Sequence, residues 1–409
     1  MLAKGYAWLP DRRRAAGRDT VRTRLMLRQA LAVEGPAGAR FVYDENHVRR
    51  SGALPEPVVS TLFGHGSVHA LDGDAHRVRK AMFVDLLMGQ GVGDLVERVG
   101  AAWDDAARRW AGERRVVLFD EASRVLTRGV CDWAAVPVTD EEVPALARDL
   151  TTLVDGFATG APRHWRARRV RQRREAWLAE MVADVRSGAR PAPAGSALDV
   201  VSAHRDADGE QLEPRVAAVE LLNVIRPTVA VCWFVTFAAH ALHCWPVNRD
   251  RLRGGDRPFA TAFAHEVRRY YPFAPFIGGR APQDVQWDGE RVPTGSMVLL
   301  DLFGQNHDPD LFPEPYAFRP ERFLAGDAAE NGSGVRRIDP WELVPQGAGA
   351  PGTGHRCPGE DITVALLSAI VVRLARLEYT LPEQDLTISL RRIPTRPASR
   401  IVMTDVRPG

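Results

Sequence analysis

Cys357 is the thiol whose surroundings best suit a ligand. It closes a glycine-rich run, VPQGAGAPGTGHRC, and Pro358, Gly359 and a long apolar segment follow it. Glycines let backbone N–H groups approach a sulfur, and a helix start favours its negative charge. Both effects lower a thiol pKa. The same stretch also reads as a buried, inert cysteine at a helix start. A second set is HEVRRYY (265–271), which places Glu266 and Arg269 three apart on one helical face; pairs of that kind are usually surface ion pairs. Arg322, in FRPERF (318–323), lies in an irregular stretch from which it could complete a Glu–Arg–Arg network. The third set is LLNVIRPTVAVCWFV (221–235), where Arg226 and Pro227 interrupt an apolar run. The proline costs about 3 kcal/mol inside a helix, and the arginine brings a permanent charge into surroundings that read as buried.

These residues need elements to hold them. From about 76 to 270 the chain reads as long amphipathic helices. Strand-like pieces lie at 39–44 (ARFVYD), 284–302, where DGE reads as a hairpin turn, and 399–406 (SRIVMTDV). Residues 303–356, rich in Pro, Gly, Asn and Asp, read as a long ordered loop, a feature that is usually functional. SGARPAPAGS (187–196) reads as a surface loop. There is no internal repeat. The expected fold is mainly α with a minor β part, in one domain over 1–409.

Composition narrows the function classes. The 409 residues are 45% hydrophobic and 26% charged, with a formal charge of +2, so nothing pulls the whole chain toward nucleic acid or anionic membrane. One local exception is RHWRARRVRQRRE (163–175), with seven arginines. It reads first as a solvated helix face with Trp165, Val170 and Trp177 turned inward, and second as a nucleic-acid or membrane-surface contact. The start carries charges without a long apolar core, so neither a signal peptide nor a membrane anchor is expected. Glu220, Asn223 and Arg226 shorten the longest apolar run below a membrane span. The expected location is the cytoplasm. Cysteines 131, 232, 244 and 357 show no CxxC spacing, which argues against a zinc site or a disulfide framework.

Taken in order and spacing, the Glu-x-x-Arg helix, the PERF-type arginine and the cysteine loop resemble the cytochrome P-450 family. That resemblance implies a triangular helical body with haem b between a central long helix and the cysteine-loop helix. It implies Cys357 as the iron's axial thiolate, and Glu266, Arg269 and Arg322 as a structural network holding the cysteine loop. A thiolate ligand donates electrons that favour O–O cleavage. The family's usual loop has a phenylalanine seven residues before the cysteine and an arginine two before it; here Ala350 and His355 stand there, with Arg356 adjacent. In this respect the chain is similar to the fatty-acid peroxygenase branch, which has hydroxylating and olefin-forming members.

The central helix carries that similarity further. The usual acid–alcohol pair for proton delivery is absent, and Ile225-Arg226-Pro227-Thr228 stands in its place. A structural role remains open, with Arg226 paired to Glu220 or Asn223 and Pro227 a bare kink. In the branch, an Arg-Pro pair implies a carboxylate clamp: Arg226 binds the fatty-acid carboxylate by charge-assisted hydrogen bonds. The carboxylate then replaces the missing acid–base residue, and Pro227 makes room. Hydrogen peroxide is the implied oxidant, with no obligatory redox partner. By the same resemblance His69 is catalytic and haem-facing, and Arg50, His76 and Lys80, with Arg79 as a substitute, contact the haem propionates. Leu54, Leu62, Phe63, Val154, Phe157, Ala274 and Phe276 line the acyl channel. The implied products are 2- or 3-hydroxy acids and terminal alkenes. The alternatives are a redox-partner-dependent fatty-acid monooxygenase and a non-catalytic haem lipid sensor.

Overall fold

The computed structural model describes residues 4–89, 91–157, 159, 161–325 and 333–409. Helices dominate; Gly91–Trp110 and Arg257–Tyr270 bury one apolar side, as their sequence spacing requires, whereas Pro214–Val229 and Val231–Cys244 are buried nearly all round. In the helix Arg257–Tyr270, Phe259, Phe263, Glu266, Val267 and Arg269 face inward, and the Asp256 side chain caps its start by accepting from the Phe259 N–H (2.9 Å). One core extends from Val68 to Val406 and takes in the helices Gly91–Trp110, Leu118–Ala134, Val143–Gly156, Ala161–Arg186, Pro214–Val229 and Glu360–Arg376.

The central apolar run forms two helices in succession, Pro214–Val229 and Val231–Cys244. Pro227 lacks the N–H that would reach the Asn223 carbonyl, and the Thr228 hydroxyl turns back to Val224 O (3.0 Å). The chain breaks at Ala230. Together the pair is long and apolar enough to cross a membrane, contrary to the expectation that its polar residues shorten it, but 94% of its most apolar window is buried inside the protein.

The β part is small. Val21–Leu25, Arg28–Val33, Met297–Asp301 and Phe276–Arg280 form a sheet in that order, parallel only between the second and third strands, with Ala30 opposite Met297. Val285–Trp287 and Glu290–Val292 form the expected hairpin; Asp288 and Gly289 both take positive φ, as a tight two-residue turn demands. Val402–Arg407 is the expected C-terminal strand. The piece at 39–44 is not a strand. It ends the helix Gly35–Tyr43, whose buried positions Gly38, Ala39, Phe41 and Val42 have helical spacing behind Pro36. Trp165, expected to turn inward, is 53% exposed, while Val170 is buried.

Candidate active site

Among the described residues, the loop expected at 303–356 is irregular apart from the end of the short helix Leu302–Gln305 and the Pro320–Phe323 segment. It is held by buried charge. Glu266 receives Arg269 through two bonds of 2.8 Å, Arg322 stands 3.2 Å from the same carboxylate, and the Arg319 N–H adds a third donor at 2.8 Å. Arg269 also reaches the carbonyls of Asn306 (2.9 Å) and Pro315 (2.8 Å). This pair is fully buried rather than at the surface.

Cys357 follows immediately from that loop, and its N–H donates to Gln346 O at 3.1 Å. The Gln346 amide lies 3.9 Å from Sγ, bonds Thr363 Oγ1 (3.0 Å), and is fixed at its oxygen by Arg268 (3.0 Å). Arg268 and Arg356 both hold Glu360 in the first turn of the following helix. The expectation of a lowered thiol pKa is corrected: burial pushes the Cys357 thiol up, outweighing the Gly359 backbone contact, Lys80 and Gln346. Direct metal ligation deprotonates a thiol regardless of that starting point. Gln346, Arg268, Arg356 and Glu360 were not singled out from sequence. The charged residues His355, Arg356, Glu360 and Asp361 flanking the cysteine were the available local signal for two of them; Arg268 and Gln346 lie farther off in sequence.

Around the cysteine stand several buried basic groups. Lys80 donates to Gly354 O (2.9 Å) and Arg356 O (2.5 Å), and burial lowers its pKa to about 8, with the Cys357 charge opposing. Arg50 lies over the Tyr43 ring, 5.2 Å from its centre. His76 stacks on His355 at 3.9 Å, and burial, then His355, bring its pKa down to about 3. Arg79 is not part of this group. It pairs with Asp206 and with Glu220 (2.7 Å), so its charge is already answered on the other side.

Arg226 is buried beside the break in the central helix. One of its amines donates to Asn223 Oδ1 (3.2 Å) and its Nε has no partner. Burial, reinforced by Arg171, lowers its pKa to about 9. Asn223 can present only its oxygen, because its amide is given to Phe63 O (2.9 Å) and Glu220 (3.1 Å). Glu220 also accepts from Val68 N–H (2.7 Å). The segment 61–69 is thereby bolted to the clamp helix. Arg171 adds bonds to Leu62 O (2.6 Å) and Phe63 O (2.8 Å). Within that segment His69 stacks on Phe63 at 4.1 Å, and its Nδ1 is unpartnered. Burial and then Arg226 hold its pKa well below the usual range, so the ring is neutral.

The apolar candidates separate into two groups. Leu62 and Val154 pack in the main helical core. Phe276 packs on Trp8 at the sheet (5.7 Å), and Ala274 joins the sheet's other small core. Leu54 and Phe157 are half-buried. A surface hollow of about 520 Å³ lined by Arg12, Arg22, Arg24 and Ser296 is a separate feature, formed at the sheet edge.

Haem fits these residues. Buried nitrogens without a hydrogen-bond partner remain on Arg50 (Nη1), His76 (Nδ1) and Arg226 (Nε), whereas His355 Nε2 faces Glu45 and Asp72, 3.6 Å from each. A group bearing two carboxylates and an iron would answer Arg50 and His76 together with Lys80, and Cys357 would supply the thiolate.

Comparison with known proteins agrees. Residues 255–392 match the family model for cytochrome P450. Piperic acid synthase of Piper nigrum is 28% identical over 48% of the chain, and the match spans only 40% of that enzyme's length. Among solved structures the likeness is end to end. Cytochrome P450SP alpha (CYP152B1), solved with (R)-ibuprophen, superposes with a TM-score of 0.94 at 38% identity, over 100% of this chain and 98% of the other. P450EX alpha (CYP152N1) with myristic acid gives 0.92 at 35%, over 100% and 96%. A point variant of cytochrome P450 OleT with arachidonic acid gives 0.94 at 32%, also over 100% and 96%. The chain belongs to the cytochrome P450 family, within the CYP152 fatty-acid peroxygenase branch that its Arg226-Pro227 pair resembles.

Proposed function

We propose that the protein uses hydrogen peroxide to oxidise medium- or long-chain fatty acids at Cα or Cβ, as one haem-thiolate unit over residues 1–409. The observation that carries this reading is Arg226, a buried guanidinium with a free Nε in a helix that has no acid–alcohol pair. Haem, when bound through Cys357, supplies the oxidising chemistry: one peroxide per acid gives a hydroxy acid and water, or a terminal alkene, CO₂ and two waters.

This chain's residues do the rest. Arg226 holds the substrate carboxylate in a buried place where an unpaired carboxylate would be unstable. The fixed Asn223 oxygen occupies one amine of Arg226, which leaves the Nε side for the substrate. The bound carboxylate accepts and returns a proton at its own oxygen, the work of the absent acid. His69, kept neutral and with an unpartnered Nδ1, is proposed as a neutral hydrogen-bonding group near that carboxylate. Leu54, Leu62, Phe63, Val154, Phe157, Ala274 and Phe276 are proposed to exclude water along the acyl chain. Arg50, His76 and Lys80 anchor the haem carboxylates. No obligatory redox partner is required. The myristic-acid and arachidonic-acid complexes of the two relatives support the substrate class. The test is incubation with a fatty-acid panel and peroxide, with products identified by mass spectrometry. Turnover only with NADPH and a reductase system would sink the proposal.

A further inference from the structure

We propose that the outer face of the helix Ala161–Arg186 docks on the surface of an anionic phospholipid bilayer. Residues 157–174 contain seven arginines and no Asp or Glu. Helical geometry sorts these residues. Ala167, Val170, Arg171 and Glu175 are buried, whereas Trp165, Arg166, Arg168, Arg169, Gln172, Arg173 and Ala176 share the opposite, exposed side. Arg163, Arg171 and Arg174 have carboxylate partners in Asp155, Glu175 and Asp149, and Arg173 shares Asp149. Arg166, Arg168 and Arg169 have none among the described residues.

Two features on the same side select a bilayer over a polyanion. Trp165 is 53% exposed, and tryptophan favours the membrane–water interface. The face also runs into a mostly apolar hollow of about 330 Å³ lined by Gln172, Ala176, Ala179 and Arg215. Guanidiniums beside an apolar hollow and an exposed indole suit lipid phosphates above acyl chains. A nucleic-acid strand would call for several stacking aromatics, and this face has one. The inner side of the same helix holds the Leu62 and Phe63 carbonyls through Arg171, so the docking helix is joined to the proposed acyl-chain segment.

The test uses the full-length holoenzyme and sedimentation with large vesicles. One set is phosphatidylcholine alone; the other contains equal parts phosphatidylcholine and phosphatidylglycerol. The expected result is binding to the anionic vesicles only, weakened by salt. The triple variant R166E/R168E/R169E should lose about a hundredfold or more in that binding. Trp165→Ala should weaken it about tenfold. Both variants should keep peroxide-dependent oxidation of a soluble medium-chain acid. Failure to bind anionic vesicles, equal binding to both kinds, unchanged binding by the triple variant, or displacement by a single-stranded RNA oligonucleotide would overturn the proposal. Sedimentation does not depend on turnover, so this result stands apart from that of the proposed reaction.

Discussion

In the proposed reaction Arg226 and Cys357 divide the chemistry of the site between them, and their variants should fail differently. Arg226→Ala removes the carboxylate partner and leaves the cysteine loop intact. Fatty-acid oxidation should fall at least a hundredfold, with the haem–thiolate absorption spectrum retained; normal turnover would refute the clamp. Cys357→Ser should remove the thiolate signature itself, since an alcohol is a poor substitute for that soft, charged ligand. These two candidates stand out in the sequence because each residue breaks a local rule, one as a charge inside an apolar helix and the other as a thiol after a glycine run. Asn223 broke none. Its partner Phe63 O lies 160 residues away, and nothing local in the sequence announces that bond. The Arg79 position failed for the same reason, because Glu220 and Asp206 are remote in sequence and take the guanidinium first.

At the scale of elements, Pro227 gives up one backbone hydrogen bond inside the helix beside Arg226, and it is proposed to make room there. Pro227→Ala restores an N–H to the Asn223 carbonyl, so thermal stability should hold or rise while peroxide-dependent turnover falls about tenfold. Unchanged turnover, measured beside a melting curve, would show that the proline is structural only. The buried network at Glu266 has the opposite balance. Arg269→Ala leaves a carboxylate with fewer partners and removes the ties to Asn306 and Pro315 carbonyls. Breaking a buried pair in this way costs about 3–5 kcal/mol, which denaturant unfolding would measure. The helices that carry these devices were readable from their apolar spacing. The helix Gly35–Tyr43 was misread because its short apolar run fits either period, and the strand Arg28–Val33 went unforeseen because it carries no alternation, four buried residues standing in a row.

Across the whole molecule, Glu360 is where the cysteine-loop helix, the Arg257–Tyr270 helix and the cysteine loop meet. Burial works against its charge, yet Arg268 and then Arg356 hold its pKa down to about 2, against an ordinary 4.5. Its folded pKa is thus below its unfolded one, so the unfolded chain takes up the proton first as pH falls. The stability it contributes is complete above the unfolded value and disappears as pH falls through the folded value. Asp72, held at about 2 despite burial by His355 and the Arg50 and Ser51 N–H groups, adds in the same direction. Glu360→Gln leaves Arg268 and Arg356 without their carboxylate, so at neutral pH the variant should be less stable by about 3–5 kcal/mol. Acidification should cost it less than it costs the wild type, because one of the linked protons is gone. Urea unfolding of both proteins from neutral pH to about pH 3, with haem retention followed by absorbance, should therefore give curves that converge. Parallel curves would mean that the charge of Glu360 does not join these elements.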